Sequence, residues 1–137
     1  MIIRLLNILF LPGCWFAPAS FLRVFFHRLR GVKIGKGVEI GYFVVIDHIY
    51  PGHVIINDKV TISAGTKIIA HDDAYGRDNK PQKVLIKTGA FIGVNSVVMP
   101  GMIIGEQAII GAQSLVIKNI QPRTVNGGVP TKHLKDI

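Results

Sequence analysis

The sequence predicts an all-β fold, a parallel β-helix of about four coils, with a short helical segment before it. Apolar β-branched residues recur at every sixth position, which is neither the 3.6-residue period of a helix nor the alternation of a half-buried strand. A six-residue repeat is the signature of a parallel β-helix, and twelve such units at three per coil make four coils. The repeat residues are Ile34, Ile40, Ile46, Ile56, Ile62, Ile68, Ile86, Ile92, Val98, Ile104, Ile110 and Val116.

Glycine follows many of these repeat residues, as in Gly35, Gly93 and Gly105. We expect these glycines to occupy corners of the coil where the backbone needs a positive φ. The β-branched residues before them suit short stacked strands.

Composition limits the class of protein and its partners. The chain has 137 residues, enough for one domain, and 49% hydrophobic residues against 18% charged ones exclude disorder. A formal net charge of +8 favours an anionic partner, such as a phosphorylated cofactor or an acidic lipid surface. The sequence lacks zinc-finger and aromatic RNA-binding signatures, so no nucleic-acid partner is expected. The single cysteine, Cys14, suits a reducing, cytoplasmic compartment.

Residues 1–30 differ in composition from the repeats and form a separate N-terminal segment. Their apolar runs are interrupted by Arg4, Pro12 and Pro18, and are too short for the ~20 residues that span a bilayer. A short amphipathic helix is predicted from Ala19 to Arg30, with Ser20 as its N-cap. Two interpretations stay open. The helices cap the exposed end of the β-helix or pack between subunits, or they attach peripherally to an anionic membrane.

The repeats occupy residues 31–121 and are interrupted once. Residues 72–83 are predicted to form a loop at one corner, with His71 at its root, and long loops inside compact domains are usually functional. After Ile120 the repeat stops, and Pro122 and Pro130 turn the chain away. Residues 122–137 are therefore expected to form a turn and a basic tail.

The IG-x-x-S/A units, the loop rooted at His-Asp and the ending IGAQSLVIKNI…NGGVPTKHLK resemble the hexapeptide-repeat acetyltransferases. The similarity covers residues 31–135 and is greatest to the galactoside, maltose, xenobiotic and surface-polysaccharide O-acetyltransferases. The resemblance implies a left-handed coil and a homotrimer with active sites between neighbouring subunits. It also implies transfer of acetyl from acetyl-coenzyme A to a hydroxyl of a sugar or glycan precursor, in polysaccharide biosynthesis.

His71 matches the family's general base, which takes the proton of the attacking hydroxyl. Asp72 or Asp73 is a candidate to orient its imidazole, and Asp72 is also a candidate acceptor contact. Asp47 occupies a position where relatives have an acidic residue facing the acceptor. The positions that match cofactor contacts are Val94, Ala112, Lys118, Lys132 and Lys135.

Two departures from the family pattern leave alternatives open. Val94 replaces a frequent serine and Ile117 a common threonine, so an inactive β-helix scaffold or binding homologue remains an alternative. A γ-carbonic-anhydrase-like metal site would need three histidines, but His48, His53 and His71 follow in the wrong order for that family, and no metal is expected. The apolar N-terminal segment suggests that the protein acts at the inner face of the cytoplasmic membrane, near lipid-linked substrates.

Overall fold

The computed structural model describes residues 2–74 and 80–137. Three short helices come first, and α1, α2 and α3 span Ile2–Leu9, Leu11–Phe16 and Ser20–Leu29. The strands of the first two coils are β1 Lys33–Ile34, β2 Glu39–Ile40, β3 Val45–Ile46, β4 Val54–Ile56, β5 Thr61–Ile62 and β6 Lys67–Ile68, with a 3-10 turn at Pro51–His53. The later strands are β7 Val84–Ile86, β8 Phe91–Ile92, β9 Val97–Val98, β10 Ile103–Ile104, β11 Ile109–Ile110, β12 Leu115–Val116, β13 Thr124–Gly127 and β14 Lys132–Asp136.

Strands β1 to β12 form three parallel sheets that make the faces of a triangular prism. Their orders are β1-β4-β7-β10, β2-β5-β8-β11 and β3-β6-β9-β12. Every third strand therefore pairs with its counterpart one coil away, which confirms the prediction of four coils. Of the predicted loop, residues 75–79 lie outside the described part of the chain, and the flanking residues 72–74 and 80–83 carry no strand or helix.

The pairing register stacks the repeat residues on one another inside the prism. Ile40 pairs with Ile62, Ile62 with Ile92, and Ile92 with Ile110. All the repeat residues except the partly buried Ile34 are buried in the core. Strands ~4.8 Å apart bring these β-branched side chains into contact, so the repeat is itself the hydrophobic core.

The prediction that the glycines directly after the repeat residues have positive φ is wrong. Positive φ occurs two residues further on, at glycines such as Gly89 and at non-glycine residues such as Asn95. At Gly93 and Gly105, the glycine directly after the repeat residue is required by space. A Cβ on Gly93 would lie 2.5 Å from the backbone nitrogen of Ala112 in the next coil, and one on Gly105 would lie 2.4 Å from that of Pro122.

The N-terminal helices cover the first coil. Helix α3 confirms the predicted helix but begins differently, because its N-cap is Ala19. The hydroxyl of Ser20 instead accepts a hydrogen bond from the backbone N–H of Ile40, at 3.0 Å. Within the described residues, no helix is long and apolar enough to cross a bilayer.

Arginine side chains satisfy backbone carbonyls that the first coil leaves without a strand partner. One arginine serves each of the three sheets, and each donates from its guanidinium to a carbonyl oxygen. The shortest bonds join Arg28 to Gly35 (2.6 Å), Arg23 to Ile40 (2.8 Å), and Arg30 to Ile46 and Asp47 (2.9 Å each). This arrangement supports the interpretation of residues 1–30 as a cap.

The C-terminal residues do not form the expected tail. Strand β13 pairs in parallel with β11, and β14 then pairs antiparallel with β13. The two strands form a hairpin that extends the second sheet beyond the fourth coil. Pro130 lies in the turn between them, so it reverses the chain and does not lead it away from the sheet.

Candidate functional site

The central feature of the site is a hydrogen bond between His71 and Asp47. His71 comes three residues after β6, and its side chain is 11% exposed. Its Nδ1 lies 2.6 Å from Oδ2 of Asp47, and its Nε2 lies 3.5 Å from Oδ2 of Asp73. Asp47 directly follows β3, the strand that pairs with β6, so neighbouring coils place the two side chains at one corner.

Asp47 is buried, and both of its carboxylate oxygens accept hydrogen bonds. Oδ1 accepts from the N–H groups of Ile49 (2.9 Å) and Tyr50 (2.8 Å), and Oδ2 from the N–H of Ala70 (2.7 Å). Burial alone would raise the pKa of this carboxyl, but these donors and the His71 ring outweigh it and lower the pKa below its ordinary value. Asp47 is therefore a carboxylate at neutral pH.

An ionised Asp47 determines the tautomer of His71. A carboxylate only accepts hydrogen bonds, so the Nδ1 that faces it carries the proton. In a neutral ring Nε2 then holds the lone pair and can accept a proton. This is the arrangement that a general base requires.

The structure corrects two of the predicted roles around this histidine. Asp47 was expected to face the acceptor, but its side chain has 0% exposure and bonds to the imidazole. Asp72 or Asp73 was a candidate to orient the imidazole, but the partner of Nδ1 is Asp47. Asp73 is 68% exposed and lies on the Nε2 side, and Asp72 accepts a hydrogen bond from the N–H of Ala74 at 2.9 Å. The stacking of Ile46 on Ile68 in the repeat was the signal that could have placed Asp47 beside His71.

Aromatic rings surround the imidazole on its other sides. The ring of Tyr50 lies 5.5 Å from that of His71, and the ring of His48 lies 6.1 Å away, both edge-on. His53 packs against Tyr50 at 5.7 Å. No three His, Cys, Asp or Glu side chains in the described ranges are arranged to hold a metal ion.

A cavity of about 260 Å³ opens beside His71 on the outer face of the third sheet. The adjacent cavity, of about 250 Å³, lies against helix α1, and His48 lines both. The first is lined by Val45, Asp47, His48, Lys67, Ile68, Ile69 and His71, and the second by Arg4, Ile8, His48, Ile49 and Tyr50. An acceptor could thus approach His71 between the prism and the N-terminal helices.

Four of the predicted cofactor residues lie in or beyond the fourth coil, and Val94 lies in the third. Lys118 and Lys132 line one cavity of about 370 Å³, and Lys135 lies exposed on β14. Val94 and Ala112 are exposed at corners that follow β8 and β11. Neither cavity beside His71 shares a lining residue with the lysine cavity.

Ile117 directly precedes Lys118 in the chain but lines a different cavity. It lines a cavity of about 570 Å³ together with Asp72 and Lys80, which flank the loop, and with Met99 and Met102. An isoleucine there makes this wall of the cavity apolar where the family pattern has a hydroxyl. The prediction that this change weakens cofactor contacts remains a prediction.

Comparison with known proteins gives the following relatives. No protein-family model matches the chain. Protein CapG of Staphylococcus aureus is 32% identical over 132 residues, which cover 85% of this chain and 77% of CapG. Galactoside O-acetyltransferase of Escherichia coli K12 is 28% identical over 129 residues, 91% of this chain and 62% of that protein. The chain spans about three-fifths of the length of that relative.

Among solved structures, the hexapeptide-repeat-containing acetyltransferase VCA0836 of Vibrio cholerae superimposes with a TM-score of 0.81 at 20% identity. The match covers 98% of this chain and 90% of VCA0836, and a second structure of that protein contains acetyl-coenzyme A. The shared fold is a left-handed parallel β-helix. With the repeat, the prism and the relationship to CapG in agreement, the chain belongs to the hexapeptide-repeat acetyltransferase family.

Proposed function

We propose that this protein transfers acetyl from acetyl-coenzyme A to a hydroxyl of a sugar or glycan precursor, with His71 as general base. The observation that carries the proposal is the bond from Nδ1 of His71 to the buried Asp47 carboxylate, which leaves Nε2 with a lone pair. Relatives add support, since galactoside O-acetyltransferase is named for this reaction on a galactoside and VCA0836 has been solved with acetyl-coenzyme A.

The proposed reaction has two proton transfers. Nε2 takes the proton of the acceptor hydroxyl as its oxygen attacks the thioester carbonyl, and the C–S bond then breaks to release coenzyme A. The imidazolium returns its proton to the thiolate, so the enzyme ends unchanged. Asp47 stabilises the imidazolium from the Nδ1 side, and the Asp73 carboxylate, 3.5 Å from Nε2, adds to that effect before the proton leaves.

Removing the base tests this mechanism. We expect His71→Ala to lower kcat by roughly 10²–10⁴-fold. Asp47→Asn should lower it by a similar order because the Nδ1 proton loses its ionised acceptor. Release of coenzyme A thiol, measured against a panel of sugars and sugar nucleotides, gives the rates. His53→Ala is the matched control, since the ring of His53 packs against Tyr50, whereas the ring of His71 packs against His48 and Tyr50.

Binding of acetyl-coenzyme A is measured separately from turnover. A ligand that binds only the folded protein raises its thermal midpoint, and His71→Ala should keep that rise. If acetyl-coenzyme A stabilises neither protein, the scaffold alternative is favoured. If His71→Ala turns over at the wild-type rate, the imidazole is not the base.

We also propose that the active unit is a homotrimer. The cavities beside His71 and the lysine cavity share no lining residue, and a neighbouring copy could place its cofactor residues beside His71. Apolar side chains exposed on the prism, among them Phe91, Ile103 and Ile117, offer surface for such contacts. Light scattering should then give a mass three times the 15.0 kDa of one chain, and a mass of one chain for the active protein would exclude it.

A peripheral contact with the cytoplasmic membrane is the last part of the proposal. Helix α1 exposes Ile2, Ile3, Leu5 and Leu9, which supports insertion into a lipid surface. The arginines of α3 and its end are bonded to the first coil, so this contact rests on apolar area more than on charge. Vesicle flotation should be lost in Ile3→Glu and kept in Leu134→Glu, whose exposed side chain lies at the opposite end of the prism. Equal flotation of both variants would contradict the contact.

A further inference from the structure

A buried polar cluster joins the N-terminal helices to the corner that holds Asp47. Asn7, His27 and Arg30 are each at most 6% exposed, although they are polar or charged. The Arg30 guanidinium donates from Nε to Oδ1 of Asn7 at 2.6 Å, and its Nη1 lies 3.2 Å from Nδ1 of His27. Three helix-borne side chains thus hold one another in place inside the cap.

The same cluster reaches the backbone of the first coil. Nη2 of Arg30 donates to the carbonyl oxygens of Ile46 and Asp47, at 2.9 Å each. The side-chain amide of Asn7 donates to the carbonyl oxygen of His48. Three consecutive peptide carbonyls, those of residues 46–48, therefore bond to side chains of the cap.

Asp47 lies in the middle of this held segment. Its carboxylate is aimed at Nδ1 of His71 across 2.6 Å, so a small rotation of the segment would lengthen that bond. Hydrogen bonds weaken steeply as distance and angle depart from their optimum. A misplacement of about 1 Å in a catalytic group can cost about 10²-fold in rate.

We propose that Arg30 and Asn7 are positioning residues for the Asp47–His71 pair, so that the N-terminal cap is part of the catalytic apparatus. The inference rests on the proposed role of His71 as general base. Neither residue touches the imidazole in the structure, and both act through the backbone of residues 46–48.

The other two capping arginines provide the comparison that separates positioning from capping. Arg23 donates to the carbonyl oxygen of Ile40 and stacks on the ring of Tyr42 with its guanidinium carbon 4.1 Å from the ring centroid. It is as buried as Arg30, at 6% and 5% exposure, but the carbonyls that it bonds lie away from Asp47. Loss of Arg23 should therefore cost stability without disturbing the site.

The experiment compares Arg30→Met and Asn7→Ala with Arg23→Met in the full-length protein. We expect the first two to lower kcat by about 10- to 100-fold, with KM for acetyl-coenzyme A changed by less than about twofold. Arg23→Met should lower the thermal midpoint and keep kcat within about twofold of wild type. Asn7→Ala removes only one side-chain amide. If Arg30→Met fails to fold, the kcat of Asn7→Ala therefore decides whether the cluster positions the Asp47–His71 pair.

A spectroscopic readout follows the pair without relying on turnover. The downfield Nδ1 proton of His71, assigned by its loss in His71→Ala, should shift upfield or broaden in Asn7→Ala and Arg30→Met and stay unchanged in Arg23→Met. An unchanged resonance in Asn7→Ala, or equal losses of kcat in Arg30→Met and Arg23→Met, would overturn the inference. If the wild-type protein turns over no acceptor, the proposed function fails, while the resonance still decides whether the cap positions the pair.

Discussion

The buried His27 should make the protein less stable as the pH falls below neutrality. Burial and the neighbouring Arg30 lower the pKa of His27 from 6.5 to about 3 in the folded protein. In the unfolded chain His27 takes up a proton near pH 6.5, whereas in the folded protein it takes up a proton only near pH 3. The stabilising contribution is fully present above pH 6.5 and decreases as the pH falls from there towards about 3.

The size of this effect follows from the two pKa values. Each pH unit inside the window costs about 1.4 kcal/mol of unfolding free energy, so the loss from pH 7 to pH 5 is about 2 kcal/mol. The pKa of Asp47 is also lowered, but its contribution is lost only at lower pH, where the carboxyl of the unfolded chain becomes protonated near its ordinary pKa of 3.8. The interval from pH 7 to pH 5 therefore isolates His27 from Asp47.

Urea denaturation at pH 7, 6 and 5, at fixed protein and salt concentrations, measures this loss. The control is His27→Asn, which keeps an acceptor for Arg30 in place of Nδ1 and cannot take up a proton in this range. We expect the stability advantage of wild type over His27→Asn to decrease by about 2 kcal/mol between pH 7 and pH 5. An advantage that stays constant with pH would show that His27 titrates alike in both states and would refute the reasoning.

Two further predictions concern the coil corners and the cofactor site. Gly93→Ala should destabilise the protein by roughly 1–3 kcal/mol because the added Cβ would meet the backbone of Ala112. The control is Gly111→Ala, where the nearest neighbour of the added Cβ would lie 3.7 Å away. Gly111→Ala should have a much smaller effect in the same denaturation assay. Lys132→Met should raise KM for acetyl-coenzyme A by roughly two- to fivefold with kcat unchanged, as expected for one exposed charge pair of ~0.5–1 kcal/mol. The control for it is Lys36→Met at the opposite end of the prism, and equal KM values for the two variants would remove Lys132 from the cofactor site.

The repeat allowed the β-helix to be predicted because one residue type performs one task at each sixth position. A β-branched residue such as Ile92 fills the core and forms the strand, so spacing alone reveals both. The same pattern located the glycines that follow the repeat residues. It did not reveal why glycine is needed at those positions. Gly93 is required because the backbone of the next coil leaves no space for a Cβ. The residues around Gly93 in the sequence do not show how close that backbone lies.

The site was predicted in part. His71 was singled out by its place at the root of the loop and by the family pattern, and its partner was sought among the next residues. The partner is Asp47, 24 positions earlier, because three-strand coils bring distant residues to one corner. The hydrogen bonds from the arginines of the N-terminal segment to the first coil were not predicted. These bonds depend on how α3 crosses the first coil, and hydrophobic periodicity does not give that crossing.

The location of Asp47 explains why the cap and the site depend on each other. Inside a β-helix each strand has a neighbouring coil on both sides, and both sets of peptide groups are satisfied by other strands. Asp47 follows the last strand of the first coil, where only the second coil is present, and it bonds to that coil through Ala70 and His71. On the opposite side no coil donates to the peptide carbonyls of Ile46 and Asp47, and Arg30 donates hydrogen bonds to them instead. A carboxylate one coil further along would be held by strands on both sides, and here the N-terminal helices take the place of the missing coil.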